Sequence, residues 1–143
     1  MSEHFRRLER MYASAPINEF FAPRLQIVDP GVAELRLTIR PDFYHAAHAA
    51  HGAVYFKALD DATFFAANSL VEDVFVLTVS FNLYLTRPVS EGEVIATGRV
   101  VSRSKRLYIA EGVLVDARGR EIARGSGTFM PSTRTLAADI GYR

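Results

Sequence analysis

Two features of one short run could do chemistry together. In His51-Gly52-Ala53-Val54-Tyr55-Phe56-Lys57-Ala58-Leu59-Asp60-Asp61, a glycine stands at the mouth of a helix-like stretch and a carboxylate sits inside it among alanines and aromatics. The first-turn N–H groups of a helix lack intrahelical partners and carry partial positive charge, so the Gly52 backbone suits a developing negative charge. An acid at an apolar helical position must be solvated, paired or given a chemical role. An oxyanion donor and a carboxylate are the minimal parts of a hydrolase that works without a serine triad.

Each candidate has a plainer reading. Asp60 could be a solvated acid paired with Lys57 three residues earlier, but it shares a stripe with Ala53, Phe56, Thr63 and Ala67, which favours a site. Asp61 is rotated from it by about 100° and follows Lys57 by one turn, a structural ion pair. Gly52 could be ordinary helix N-terminal chemistry. His45, His48 and His51 have the spacing of a metal site, and on a helix they would sit about 60° apart. Pro41 before them and Gly52 after them point instead to a loop, and no thiolate joins them, so no metal is expected.

Composition narrows the class. The 143 residues suit a single domain, 1–143, and 49% hydrophobic with 23% charged residues is an ordinary globular balance. A net charge of +1 argues against nucleic acid. No apolar run approaches the ~18 residues that would span a bilayer, so no membrane partner is expected. The first residues lack the apolar core of a signal peptide, which makes the cytoplasm the expected location. There is no cysteine, so disulfides, zinc–thiolate sites and a cysteine nucleophile are excluded together. Any hydrolytic chemistry must use Ser, Thr, Asp, Glu, His or Lys.

The elements that must hold the pair follow from periodicity. Residues 3–13 read as a short amphipathic helix with Phe5, Leu8 and Met11 on one stripe. Leu25 to Val28 and Ala33 to Ile39 are strand-like, split by the turn signal Asp29-Pro30-Gly31. Residues 51–69 are the one long helix, apolar most of the way round. After it the period becomes two: Phe75, Leu77, Val79, Phe81, Leu83 and Leu85 predict an apolar strand face opposite a mostly polar one, over about 74–86. Strands at 93–103, 106–116 and 120–130 follow, the last two joined by a hairpin at Asp116–Gly119, and the tail from Ser132 has no strong pattern. Gly125 and Gly127 suggest a bend or close packing in the last strand. One buried helix with two strands before it and an antiparallel meander after it is an α+β layout. A curved antiparallel sheet wrapped around one long central helix, the hotdog fold, satisfies it, with a short N-terminal helix added.

The chain resembles the hotdog-fold acyl-CoA thioesterases of the phenylacetic-acid-degradation type, over about residues 23–131. His51-Gly52-Ala53 and Asp60, nine residues after the histidine, stand where that family usually writes His-Gly-Gly and a catalytic Asp. Thr78, eighteen residues beyond Asp60, stands where relatives often carry Ser or Thr near the thioester. Arg87, Pro88, Gly92, Asp116, Gly119 and Gly125 to Phe129 are similar to the family's meander. Two positions depart from it: the second glycine is Ala53, and His45 occupies the place, six residues before His51, where an Asn or Gln often orients water or the carbonyl.

The resemblance implies hydrolysis of an acyl-CoA thioester to free acid and coenzyme A. Gly52 would donate to the carbonyl, Asp60 would act as general base or nucleophile, Thr78 would hold the water or carboxylate, and His45 would supply the missing donor. His51, Ala53 and Phe64 would line the substrate site. Arg87, Arg103, Lys105 and Arg106 could meet the phosphates, although arginines and lysines at strand ends are often simply solvated. Phe43, Tyr44, Phe64 and Phe65 could line an acyl or aryl tunnel, or simply pack the core. No cofactor is implied beyond the coenzyme A of the substrate. A homodimer or dimer of dimers is expected, with Gly52 of one subunit meeting Asp60 and Thr78 of the other. Two other readings are a non-catalytic acyl-CoA-binding protein, which His45 favours, and a dehydratase or hydratase. The latter lacks its Pro-Gly before the helix and its Asp-x4-His pattern.

Overall fold

The switch of period near residue 74 divides the chain as the spacing predicts. A computed structural model describes residues 2–143. In chain order it contains α1 (Ser2–Ser14), α2 (Ile17–Phe21), β1 (Arg24–Asp29), β2 (Val32–Thr38) and α3 (Gly52–Asn68). Then come β3 (Val74–Leu85), β4 (Glu93–Arg103), β5 (Tyr108–Val115) and β6 (Glu121–Thr135), with single 3-10 turns at Pro41–Phe43 and Ala138–Ile140. The six strands form one antiparallel sheet in the order β1-β2-β4-β5-β6-β3. The sheet curls around α3, whose Ala58, Leu59, Ala62 and Ala66 are fully buried against it. This is the hotdog fold. Among the described residues no helix is long and apolar enough to cross a membrane.

Small residues let the helix lie directly on the sheet. A Cβ built on Gly98 of β4 would stand 2.5 Å from the carbonyl carbon and oxygen of Ala62, so backbone meets backbone there. The far end of α3 is clamped by Asn68, which is wholly buried. Its Oδ1 accepts the Val76 N–H at 2.9 Å, and its amide nitrogen donates to Val71 O and Val74 O at 3.1 and 3.0 Å. That clamp sets where β3 begins relative to the helix, and hence which β3 residue faces which turn of α3.

α1 is amphipathic as expected, with Phe5, Leu8, Met11 and Tyr12 inward. Its buried His4 ties three segments together: Nε2 donates to Asn68 O at 2.9 Å, leaving Nδ1 to accept from the Tyr142 hydroxyl at 2.7 Å.

The structure corrects two strand readings and adds a helix. β3 does not keep one apolar face. Its register passes from Thr78↔Phe129 to Ser80↔Thr128, which makes Val79 the extra residue of a β-bulge. Val76 and Thr78 face α3 before the bulge, and Phe81 and Leu83 after it, while Leu77, Val79 and Leu85 stand half or more exposed. β6 runs to Thr135, past the expected end at 130, because β3 continues to pair with it as far as Val74↔Thr135. The segment between Pro16 and Pro23, which has too few residues to show a period, forms α2. Close packing at Gly125 and Gly127 is present, with the Phe81 ring against both.

Candidate active site

The N-terminus of α3 is built by its own sequence. His51 is the N-cap, extended at φ −63° and ψ 147°, and its Nδ1 accepts the Ala53 N–H at 2.9 Å. The ring expected to meet substrate is therefore engaged through one nitrogen as the helix cap. Ala53 has no positive φ, so the alanine in place of the second glycine carries no backbone strain. The neighbouring Gly52 N–H finds no acceptor among the described residues, as an anion-binding donor requires.

Asp60 lies two turns further on, half-buried. The Thr78 hydroxyl, brought opposite by the register of β3, donates to its Oδ1 at 2.9 Å. Burial pushes the carboxyl up to about 6 from 3.8, outweighing the Thr78 bond; nearby Asp61 pushes the same way and Lys57 against. A base poised near neutrality is what general-base chemistry needs. The Lys57 ammonium belongs to Asp61, at 2.6 Å, and the Tyr12 hydroxyl donates to the same Asp61 oxygen at 2.6 Å.

Asp60 and Thr78 open onto a cavity of about 760 Å³. Its walls are mostly apolar: Met11 and Tyr12 of α1, Ile17 of α2, Phe64 and Phe65 of α3, Phe75 and Leu77 of β3, and Ile140 of the C-terminal segment. Gly52 is not in that wall. Eight residues separate it from Asp60, about 12 Å along the helix axis, so within one chain the two cannot touch the same carbonyl.

Other expected residues fall apart from this centre. Phe43 and Tyr44 do not join the tunnel: Phe43 packs with Phe20 and Phe21 under Arg40, and Tyr44 donates to the Ser90 carbonyl. They are held there by the 3-10 turn at Pro41–Phe43, which precedes the loop leading into α3. Arg87 follows β3 at the end level with Ala96 of β4, whereas Arg103 closes β4 at the opposite end, with Lys105 and Arg106 in the turn beyond it. One chain therefore cannot gather all four on one phosphate group, because the antiparallel meander sends the ends of β3 and β4 in opposite directions. All four are exposed.

His45 is exposed in the loop, its Nδ1 accepting the Ala47 N–H at 3.0 Å, which leaves Nε2 as a donor. His45, His48 and His51 do not share a helix, and among the described residues no three metal-binding side chains gather. Two positioning residues escaped sequence reasoning. Tyr12 lies next to the Phe5, Leu8 and Met11 stripe of α1 and carries no spacing signal of its own, although a buried tyrosine hydroxyl needs a partner. Asn68 gave the weak signal of an amide at the end of an alanine-rich helix.

Comparison with known proteins gives consistent matches. The sequence model of the family described as Thioesterase superfamily matches residues 47–123. A protein of Saccharolobus solfataricus, described as a candidate esterase, is 24% identical over 114 residues, 80% of this chain and 76% of that one. Among solved structures, the Escherichia coli PaaI protein from the phenylacetic acid degradation operon superposes with a TM-score of 0.86 at 18% identity, covering 95% of this chain and 98% of that one. At that identity the likeness shows the fold. A thioesterase family protein of Silicibacter pomeroyi gives a TM-score of 0.81 at 26% identity, covering 89% and 96%.

Proposed function

The chain belongs to the thioesterase superfamily and is a thioester hydrolase, and on that premise we propose that it cleaves acyl-CoA thioesters to free acid and coenzyme A at a centre based on Asp60. The observation that carries this reading is the Asp60–Thr78 pair, 2.9 Å apart in the wall of an apolar cavity, with the carboxyl raised to about 6. The acyl group occupies the cavity. Asp60 takes a proton from water, which adds to the thioester carbonyl; the tetrahedral intermediate then collapses, and the sulfur leaves with a proton as coenzyme A. The oxyanion is received by the N–H of Gly52 of the partner subunit, with the α3 dipole behind it. The partner subunit's His45, in the loop before that same helix end, adds a second donor to the carbonyl through Nε2.

The 12 Å between Gly52 and Asp60 supports a homodimer, or a dimer of dimers, since only a second copy can bring an α3 N-terminus to the carboxylate. The basic residues then divide between subunits, with Arg87 beside one α3 N-terminus and Arg103, Lys105 and Arg106 elsewhere along the entrance. The reaction is acyl transfer to water and calls on no cofactor beyond the coenzyme A of the substrate. A cytoplasmic site of action goes with such a substrate.

The test is thiol release across short, medium, long and aryl CoA thioesters, run beside Asp60→Asn. Release from at least one class, lost in the variant, is the expected result. No release from any class, or full activity of Asp60→Asn, overturns the reading.

A further inference from the structure

Lys57 stands one turn before two carboxylates, three residues from Asp60 and four from Asp61. Either could take the ammonium. It sits 2.6 Å from Asp61 Oδ2, and the Tyr12 hydroxyl, reaching in from α1, donates to that same oxygen at 2.6 Å. The ammonium also lies 5.1 Å from the Tyr12 ring centroid and 5.4 Å from that of Phe21, so α1 and α2 together hold it on the Asp61 side. Among the described residues, the Asp60 carboxylate is left with a single hydrogen-bond partner, the uncharged Thr78 hydroxyl.

We propose that Asp61 is a positioning residue: by engaging Lys57 it leaves the Asp60 carboxylate to Thr78 and to water. This rests on Asp60 being the base. An ammonium moved onto Asp60 would occupy its lone pairs and, as an opposite charge within about 4–6 Å, would lower its proton affinity by 1–3 pH units. That would weaken it as a base.

Among the described residues, Lys57 and Asp61 are the charges that act on the Asp60 carboxyl. The groups facing Asp60 are Lys57 and Asp61 on α3, Tyr12 on α1 and the neutral Thr78 on β3. The C-terminal segment adds Arg134, Asp139 and Arg143 to the cavity wall, and Arg134 and Asp139 pair with each other at 2.6 Å. The device belongs to this chain's own residues, and through Tyr12 it makes the N-terminal helix part of the site.

The experiment compares the parent with Asp61→Asn, Lys57→Met and the double variant by two readouts. One is the pH profile of kcat/KM; the other is the carbon-13 titration of the Asp60 carboxyl, assigned with Asp60→Asn and independent of turnover. In Asp61→Asn both midpoints should fall by about one pH unit, with turnover reduced several-fold. In the Lys57→Met background the same Asp61→Asn change should move either midpoint by a clearly smaller step, the part owed to Asp61's own charge, because no ammonium is left to redirect.

An unmoved midpoint in Asp61→Asn overturns the proposal. So does a shift of undiminished size without Lys57, which would mean that Asp61 acts through its own charge alone. Should Asp61→Asn fail to fold, Tyr12→Phe removes one of the two restraints and should lower the midpoint in the same direction by a smaller step; no shift there is equally fatal. Full activity of Asp60→Asn would sink the base assignment instead, while the carbon-13 titrations would still report where Lys57 goes.

Discussion

Burial holds the Asp60 carboxyl at about 6, above its ordinary 3.8, and this one shift acts on activity and stability in opposite senses. As a base Asp60 must be ionised, so kcat/KM should rise with pH through about 6 and level off above it. For stability the sign runs the other way. The folded state binds this proton more tightly than the unfolded chain, so its contribution is complete below 3.8 and is lost as pH rises through about 6. Asp60→Asn should therefore lower turnover by on the order of 10²–10⁴. It should also stabilise the protein near pH 8 by roughly 1–3 kcal/mol, an advantage that urea unfolding should find absent near pH 3. A less stable Asp60→Asn at pH 8 would contradict the desolvation account. His45 offers a second test. With its Nδ1 used by the Ala47 N–H, only Nε2 can donate, so His45→Asn should retain activity while His45→Ala loses up to ~100-fold, the worth of one oxyanion donor. Equal rates in both would make it an ordinary loop residue.

At the scale of elements, the site depends on how α3 meets β3. Thr78 reaches Asp60 because Asn68 pins the helix end to the start of the strand, and because the bulge at Val79 comes only after Thr78. Asn68→Ala would strand the Val76 N–H and the carbonyls of Val71 and Val74 in the interior. At about 1–3 kcal/mol for each unsatisfied group, the total loss in urea unfolding should be on the order of 3 kcal/mol or more. Because the clamp also aligns Asp60 with Thr78, kcat should fall in whatever fraction remains folded. A neutral Asn68→Ala would show that the clamp does not set the register.

At the scale of the molecule, β3 is a sheet edge, and along it Leu77, Val79, Tyr84 and Leu85 are 53%, 57%, 66% and 51% exposed. An edge that is long, apolar and unpaired calls for a partner. The second copy proposed to supply Gly52 would cover it. Val79→Arg combined with Tyr84→Arg should give a monomer by light scattering, with an unchanged circular dichroism spectrum and turnover lost. Mixing gives a sharper measure of a shared site. Gly52→Pro removes the donor while keeping a residue suited to the first helical position, and Asp60→Asn removes the base. Two inactive variants refolded together at equal amounts should regain about a quarter of parent activity, since half of the dimers are mixed and each holds one intact site. No recovery would reject the shared site.

Some of this was legible without the fold. A helix-opening His-Gly, an acid nine residues on, and the order of helix and meander are local facts. They are written in capping chemistry and in periods of 3.6 and 2, which act over a few residues, and the helix repeat alone fixes the ~12 Å between Gly52 and Asp60. The acid that takes the ammonium was legible too, as an i,i+4 pair with Asp61. Its grip was not, because the Tyr12 hydroxyl arrives from 49 residues away. Nor could alternation alone tell that Val79 would bulge and put Leu77 and Phe81 on opposite faces, since a bulge is settled by the partner strand's register. The antiparallel topology, not the spacing of the basic residues, divided Arg87 from Arg103, Lys105 and Arg106. Contacts between distant segments depend on which surfaces the core brings together, and that information exists only once the chain has packed.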